Sequence, residues 1–515
     1  METKQTIKAR LLSFTVVCSL AMAFVSCANE DVAQNPADTD DSKNLTTFAA
    51  GEPVSRTSMT SNGVFYWEAG DKIYVKDDNN TWQESNNSPS SKTASFKFKV
   101  PGQFTAHTTY KVYYPGHSGS NNQVNISATQ TQSTPNTTTH FGDSGDCGVA
   151  DATGGSGMFN FTLAHQAAYL IFQPYTENTG LNNCYLTKIE VSSDNNIMGS
   201  YTFDPTTGKL TGTGTGKQIV LITQGSGSYA KGFPLTNTAA NLATNGAYMV
   251  IKPGTYALTI RFGVKDYVTG VEGAITKVVS SRAFDKNKYY NIVSELDVKD
   301  YDGNNFYMWD AKKQYWEGYE WTHKNSAWQP TVNGHSSSFY PNGVTDSRWY
   351  HTGAGAVPAT ETCKDFPNVN ELTWYAKYGS PRWDGEKLWT LMGHLYKGGM
   401  WFKKKSVLIS ENKYDIAHAT DGRDVRYLTD NFSYQNTPST TLPSASETSN
   451  YFFLPATGTY SYGAFFNAGT TGYYWSSSSY AYTANEHACG LIFNKSSVSV
   501  SQYDRNNAFW LQGFE

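Results

Sequence analysis

Alternation with a period of two residues runs through this chain and limits what it can fold into. Gly254–Val264 reads GTYALTIRFGV and Lys288–Val298 reads KYYNIVSELDV, apolar and polar side chains taking turns. Such a pattern puts one set of side chains on each face of a strand. Met158–Gln173, MFNFTLAHQAAYLIFQ, begins with the same alternation and passes into a continuous apolar run, as a strand buried on both faces would. Gly199–Gly212, GSYTFDPTTGKLTG, is a hairpin with Pro-Thr-Thr-Gly at its tip. Almost nothing in this region has a sustained helical period, so antiparallel β-sandwiches are expected.

Charge is thin, with Asp, Glu, Lys and Arg at 16% and a net charge of -4. No basic stripe appears, which argues against a nucleic-acid partner. The first residues carry Lys4, Lys8 and Arg10, then an apolar run from Leu11 to Val25, then Ser26 and Cys27. That run is short for a membrane-spanning helix and reads as a secretory signal. A small residue followed by cysteine is similar to a bacterial lipoprotein signal, in which Cys27 would carry the lipid; Phe24 departs from it, standing where Leu is usual. Asn29, Glu30 and Asp31 resemble the acidic signal that exports lipoproteins of Bacteroides-like bacteria to the outer surface. Past the signal, Cys147, Cys184, Cys363 and Cys489 are widely spaced with no C-x-x-C, so a zinc site is not expected. In an oxidising compartment they would pair, one bridge per half of the chain, or stay as free buried thiols.

Aromatic residues divide the chain. Of 13 tryptophans only Trp67 and Trp82 precede residue 300, and a boundary is placed near Val298. Beyond it, Phe366–Ser380 reads as a helix, with Pro367 before its first turn, Asn368 as N-cap and Gly379 as its stop. Near the end, GYYWSSSSYAYTANEHACGLIFNKSSVSVSQYD sets Val498 and Val500 on one strand face and serines on the other. Trp475 is expected to fill the centre of this part, and Ser476–Ser479 to line a turn or an edge.

Thr47–Val75, with Ser-Arg-Thr after a first strand and then WEAGDKI, resembles the opening of fimbrillin-like (Mfa-like) surface lipoproteins. FTLAHQAAYLIF, DPTTGKL and FDKNKYYNIVSEL resemble later strands of that family. DGNNFYMWDA, FLPATG, GYYWSSS and ACGLIFNKSSVSVSQYDR are similar to a Fibrobacter major-paralogue-type domain, related to the C-type lectin-like fold; the usual closing Val-Arg is missing. Together these resemblances imply a mainly β chain: two tandem transthyretin-like β-sandwiches, then an α+β C-type lectin-like head. The parts are a signal peptide at 1–27, a linker at 28–45, β-sandwiches at 46–180 and 181–298, and the head at 299–515. The function implied is a cell-surface adhesin, lipid-anchored at the outer membrane. It would be a tip or accessory subunit of a fimbria that joins other pilus subunits by β-strand addition and binds a host or bacterial glycan or protein through its head. The alternative is a non-polymerising surface lipoprotein for glycan capture. Fimbrillin-like pilins are matured by a cut after an arginine behind the lipid segment, and Arg56 is the match; its other reading is a plain surface residue. AFWLQGFE reads as a strand paired within the head, which would let the chain accept a donor strand but not give one.

No catalytic residue, metal or cofactor is expected. GDSGDCG (Gly142–Gly148) contains the Gly-Asp-Ser-Gly of trypsin-like proteases, but no His motif accompanies it, so Ser144 is assigned to a surface turn. GTGTGK (Gly212–Lys217) precedes a strand rather than a helix and lacks phosphate-loop spacing. His165 sits in an apolar strand as a hydrogen-bonded core residue. Asp421 and Asp424 in ATDGRDVRY offer too few oxygens for calcium, which takes about six to eight; a solvated turn is the expectation. They remain, with Trp349 and Tyr350, the candidate ligand contacts. Cys363 and Cys489, both in the head, are the expected disulfide.

Overall fold

The computed structural model describes residues 45–50, 58–59 and 65–515, except 121, 205, 206, 208, 324, 326, 354 and 484. Cys27 and Arg56 lie outside these residues. The described residues are mainly β, 43% strand and 8% helix, which matches the period-two pattern.

One sheet runs in the order Trp82–Glu84, Tyr74–Lys76, Thr109–Tyr114, Gly148–Gly155, Met158–Phe161, Leu45–Ala50, Phe96–Pro101. Leu45–Ala50 is an interior strand: it pairs in parallel with Met158–Phe161 and has Phe96–Pro101 on its other side. Its Phe48 stacks on Phe159 at 5.2 Å and is buried with Trp67, Val75, Phe98 and Val112. A second group joins Ala168–Tyr175, flanked by Ala247–Ile251 and Lys288–Glu295, with a sheet built on Tyr185–Ser193, Gly254–Lys265 and Glu272–Phe284. Leu170, Phe172, Ile189, Met249, Ile260 and Phe262 from these sheets meet in one apolar cluster. The hairpin expected at Gly199–Gly212 forms, with Asp204 opposite Lys209.

The break placed near residue 180 does not separate the sheets. Gln123–Ile126 pairs with Gly199–Asp204, Thr129–Thr131 with Gln218–Ile222, and Ala168–Tyr175 with strands on both its sides that follow residue 180. The reason is visible in the apolar run: Ala168–Phe172 is buried throughout, so it needs cover on both faces, and later strands supply its sheet neighbours.

After residue 298, three four-stranded sheets and the helix Val369–Tyr378 enclose an aromatic core. The helix begins as the sequence implies: Asn368 Oδ1 accepts Glu371 N–H at 3.1 Å and Glu371 Oε2 accepts Asn368 N–H at 2.8 Å, a capping box. It stops at Gly379, where a Cβ would collide with Tyr375 O, and the left-handed turn falls on Ser380, φ 45°. Trp475 fills the core as expected: it stacks on Phe509 at 3.9 Å and its Nε1–H donates to Tyr307 O at 3.0 Å.

One reading is narrowed and one is corrected. Of the turn or edge expected for Ser476–Ser479, the structure has the edge. These residues continue the strand Thr471–Ser479, and Ser476, Ser478 and Ser479 are buried. Although this strand ends its sheet, segment 355–369 covers it: Val357 N–H donates to Ser479 Oγ at 2.7 Å, Val369 N–H to Ser478 Oγ at 3.1 Å and Ala359 N–H to Ser477 O at 2.9 Å. Serine suits such a seam because its hydroxyl satisfies backbone groups that a second strand would otherwise take. Cys363 and Cys489 do not form a disulfide; both are free and buried. Each sulfur is held by a different backbone group: Cys363 Sγ accepts Asp310 N–H at 3.3 Å, and Cys489 Sγ–H donates to Ser479 O at 3.5 Å.

Residues 46–515 form one compact unit. Leu388 and Leu395 of the head belong to the apolar cluster of the preceding sheets. Around them Asn183 Nδ2–H donates to Gly393 O at 2.8 Å and Leu395 N–H to Asp266 Oδ2 at 3.1 Å, with His394 Nδ1 also 3.1 Å from that oxygen.

Candidate functional site

Strands Thr459–Ser461 and Ala464–Phe466 form a hairpin with Ser461 opposite Ala464, leaving Tyr462 and Gly463 as a two-residue loop. Both loop residues are left-handed, φ 46° and 77°, the pattern of a type I′ turn, whose first position favours Asn or Asp. Tyrosine in that conformation costs about 1–2 kcal/mol. Its ring gains little burial in return, because Tyr462 is 66% exposed. Gly463 is required on two grounds: its φ, and the collision a Cβ would make with Ser337 O and the Tyr340 ring. The tip is pinned by its surroundings. Gly463 N–H donates to Tyr315 OH at 3.1 Å, Ser337 N–H to Gly463 O at 3.0 Å and Gly334 N–H to Phe465 O at 2.8 Å.

Beside the tip lies a cavity of about 20 Å³ lined by Met308, Tyr315, Tyr340, Pro341, Asn342, Trp349, Tyr462 and Asn506. None of these carries a carboxylate or a cationic side chain. Trp349 Nε1 and Asn506 Oδ1 are shut off from solvent and have no hydrogen-bond partner. Each such group costs about 1–3 kcal/mol while unsatisfied, and the cavity has room for one water-sized group. Trp349 is placed by its neighbour: Arg348 is buried, forks onto Asp346 at 2.7 and 3.0 Å, and donates to Tyr315 O and Phe339 O at 3.0 and 3.1 Å. The fork and the backbone bond from Arg348 hold the Asp346 carboxyl below its usual range despite partial burial.

Of the candidate contacts read from the sequence, Trp349 lines this cavity. Tyr350 packs against it, ring centroids 4.9 Å apart. Asp421 and Asp424 do not line it. Asp421 Oδ2 takes Arg423 Nε–H at 2.9 Å and Tyr434 OH at 2.7 Å; Asp424 is bridged by Arg426 at 2.7 and 2.8 Å and by Asn370 Nδ2–H at 2.9 Å. The Arg426 bridge brings Asp424 down to about 2. These carboxylates are structural partners of arginines, and no group of three or more metal-ligating side chains occurs among the described residues. Tyr462, Tyr340 and Asn506 were not legible as site residues. The one signal was Tyr-Gly between two aromatic stretches in TYSYGAFF, where Asn-Gly would be unremarkable.

The residues weighed for catalysis are enclosed. Ser144 is not in a surface turn; it ends a short helix, Phe141–Ser144, and is buried. The next acidic residue, Asp146, is buried against His165, whose Nδ1 is 3.0 Å from Asp146 Oδ1, and accepts Tyr169 OH at 2.5 Å. His165 is thus a hydrogen-bonded core residue. Burial pushes the Cys363 thiol up to about 12 and the Cys489 thiol higher still, which keeps both protonated and non-nucleophilic at neutral pH.

No protein-family model matches this chain, and no curated protein matches it. Among solved structures it is similar to a "putative cell adhesion protein" of Bacteroides ovatus, at 15% identity over 49% of this chain and 92% of that one, TM-score 0.30. A protein of Bacteroides uniformis with the same description matches at 17% identity over 50% and 94%, TM-score 0.30. The fimbrial anchor protein Mfa2 of Porphyromonas gingivalis matches at 14% identity over 45% and 82%, TM-score 0.21. These likenesses cover about half of the chain and are too slight to assign it a fold or an activity.

Proposed function

We propose that this chain is a cell-surface adhesin, held to the outer membrane by lipid at Cys27, that serves as a tip or accessory subunit of a fimbria. In this reading the sheets before residue 298 are two transthyretin-like β-sandwiches and residues 299–515 a C-type lectin-like head that binds a glycan or a protein. It has no catalytic role. The observation that carries the reading is the placement of two strands. Leu45–Ala50 is interior to its sheet and anchored by Phe48, and it precedes Arg56. A cut after Arg56 would release it and open a groove between Met158–Phe161 and Phe96–Pro101, a groove that a strand from another subunit fills by strand addition. Ala508–Trp510, in contrast, is paired on both sides, with Phe306–Tyr307 and Thr459–Ser461. It is also tied by Trp510 Nε1–H to Asp302 O at 2.9 Å. Donating it would dismantle the head, so the chain accepts a strand and gives none.

The test is limited digestion with an arginine-specific protease, followed by mixing with a fimbrial shaft subunit. A single cut after Arg56 and a one-to-one complex are expected. Self-polymerisation into filaments, or unfolding on cleavage, defeats the terminal-subunit reading. A protein that is never cut, yet binds glycans, is the surface lipoprotein of the second reading.

A further inference from the structure

A groove of about 400 Å³ lies outside the head, bounded by strand Lys209–Thr211 and by the strand connections at Pro253 and Asp285. Three lysines line it, Lys209, Lys252 and Lys286, against one carboxylate, Asp285. Among the described residues none of these lysines makes an ion pair. Two of them are nonetheless held in place. Lys252 donates to Gly212 O at 3.1 Å and sits over the Tyr201 ring at 4.7 Å, and Lys286 donates to Gln166 Oε1 at 2.9 Å. Partial burial lowers the Lys252 pKa, so an anion placed beside it is favoured. Leu210 and Phe284 add apolar surface to the same groove.

Strand Lys209–Thr211 presents an open edge here. It ends its sheet and pairs only with Gly199–Asp204. Leu210 stands opposite Phe203, whose N–H donates away from it, to Asn122 O at 2.6 Å. In an antiparallel ladder this puts Leu210 N–H and C=O on the open side. Gly212 O, two residues on, points the same way and is taken by Lys252, so the open edge faces the groove. Among the described residues neither Leu210 backbone group has a partner there.

We propose that this groove binds an acidic extended peptide by strand addition at Leu210. One residue of an antiparallel peptide exchanges both backbone hydrogen bonds with Leu210. Its side chain falls on the Leu210 face and meets the apolar lining. The residues on either side of it fall on the Lys209 face and carry carboxylates. The selected pattern is therefore acidic–apolar–acidic. A small anion would use the lysines and leave the strand edge idle, and a basic peptide would use the edge against repulsion from the lysines. An acidic strand uses both. This site lies outside residues 299–515 and needs no cut after Arg56, so it goes beyond the adhesin reading.

The test uses the full-length, uncut protein and a dye-labelled peptide, Ser-Glu-Val-Glu-Ser, followed by fluorescence anisotropy. The same peptide N-methylated at its valine keeps every charge but loses the N–H that meets Leu210 O. Ser-Gln-Val-Gln-Ser keeps the backbone and loses the charge. Lys209→Gln combined with Lys286→Gln changes two exposed side chains and leaves the core intact. The parent is expected to bind the acidic peptide, and each of the three changes should weaken binding about tenfold. Equal affinity for the N-methylated peptide overturns strand addition, and leaves a small-anion site if inorganic phosphate displaces the probe. Equal affinity for the glutamine peptide, or equal affinity of the double lysine variant, overturns the assignment to this groove. No binding by the parent overturns the proposal outright. Strand exchange after the Arg56 cut is not sampled by the uncut protein, so failure there leaves this result standing.

Discussion

Tyr462 and Trp475 show how differently two aromatic residues in one head can be used. Trp475 is 1% exposed, stacked on Phe509 and hydrogen-bonded through Nε1. Replacing it with alanine should cost about 3–5 kcal/mol, read as a fall in the denaturant midpoint of the full chain. The sequence marks Trp475 as core because a tryptophan within an aromatic stretch brings a large area to bury. Tyr462 contributes no comparable burial, and Tyr462→Asn should raise stability on the order of 1 kcal/mol by removing left-handed strain. Its role was not readable because exposure and backbone sign depend on the hairpin register, which composition does not reveal. The same holds for Asp421 and Asp424: two close carboxylates look like a ligand set until Arg423 and Arg426 are seen to occupy them.

At the scale of elements, local chemistry was the legible part. Asn368 and Glu371 have capping-box spacing, and the box forms; Asn368→Ala should cost about 1 kcal/mol, measured by chemical denaturation. The strands follow the alternation of their residues, as in Val498 and Val500, buried between half-buried serines. What the pattern leaves open, outside hairpins such as Gly199–Gly212, is the partner of a strand. Period two fixes which side chains share a face but not which strand lies beside it, so Ala168–Tyr175 was placed before a break that its hydrogen bonds cross. The serine run lies at a sheet edge, one of the two places its sequence allows, and is buried there because its hydroxyls serve a covering segment. Ser479→Ala would leave Val357 N–H without its acceptor. Faster amide exchange is expected at Val357 and Ala359, with the sheet Val498–Asp504 unchanged, in a hydrogen-exchange experiment.

For the whole molecule, the question is whether the head swings freely on the sheets that precede it. The contacts say that it does not. Asp266 is fully buried, and its carboxylate accepts Val268 N–H at 2.7 Å from its own turn and Leu395 N–H at 3.1 Å from the head, with His394 Nδ1 at 3.1 Å. Thr269 Oγ–H donates to Leu395 O at 3.0 Å, and Asn178 Nδ2–H to Thr390 Oγ at 3.0 Å. Leu388 and Leu395 seal the joint with apolar contact. Load applied to residues 299–515 would pass through this joint into the sheets without first unfolding a linker. Burial alone would raise the Asp266 pKa, but the hydrogen bonds from His394, Val268 and Leu395 together outweigh it and leave it below its ordinary 3.8. The sign follows from that. A carboxyl depressed in the folded state stabilises the joint fully above its unfolded pKa, and this contribution is lost as pH falls through the lower folded value. The joint should therefore hold at neutral and mildly acidic pH and loosen only below about pH 4. Asp266→Ala should bring that loosening to neutral pH, at a cost of about 3 kcal/mol, since buried donors lose a charged acceptor. Small-angle scattering across a pH series checks both: the parent should keep one radius of gyration down to about pH 4, while Asp266→Ala expands at pH 7. A variant that stays as compact as the parent at pH 7 would mean that Leu388 and Leu395 hold the joint without the carboxylate.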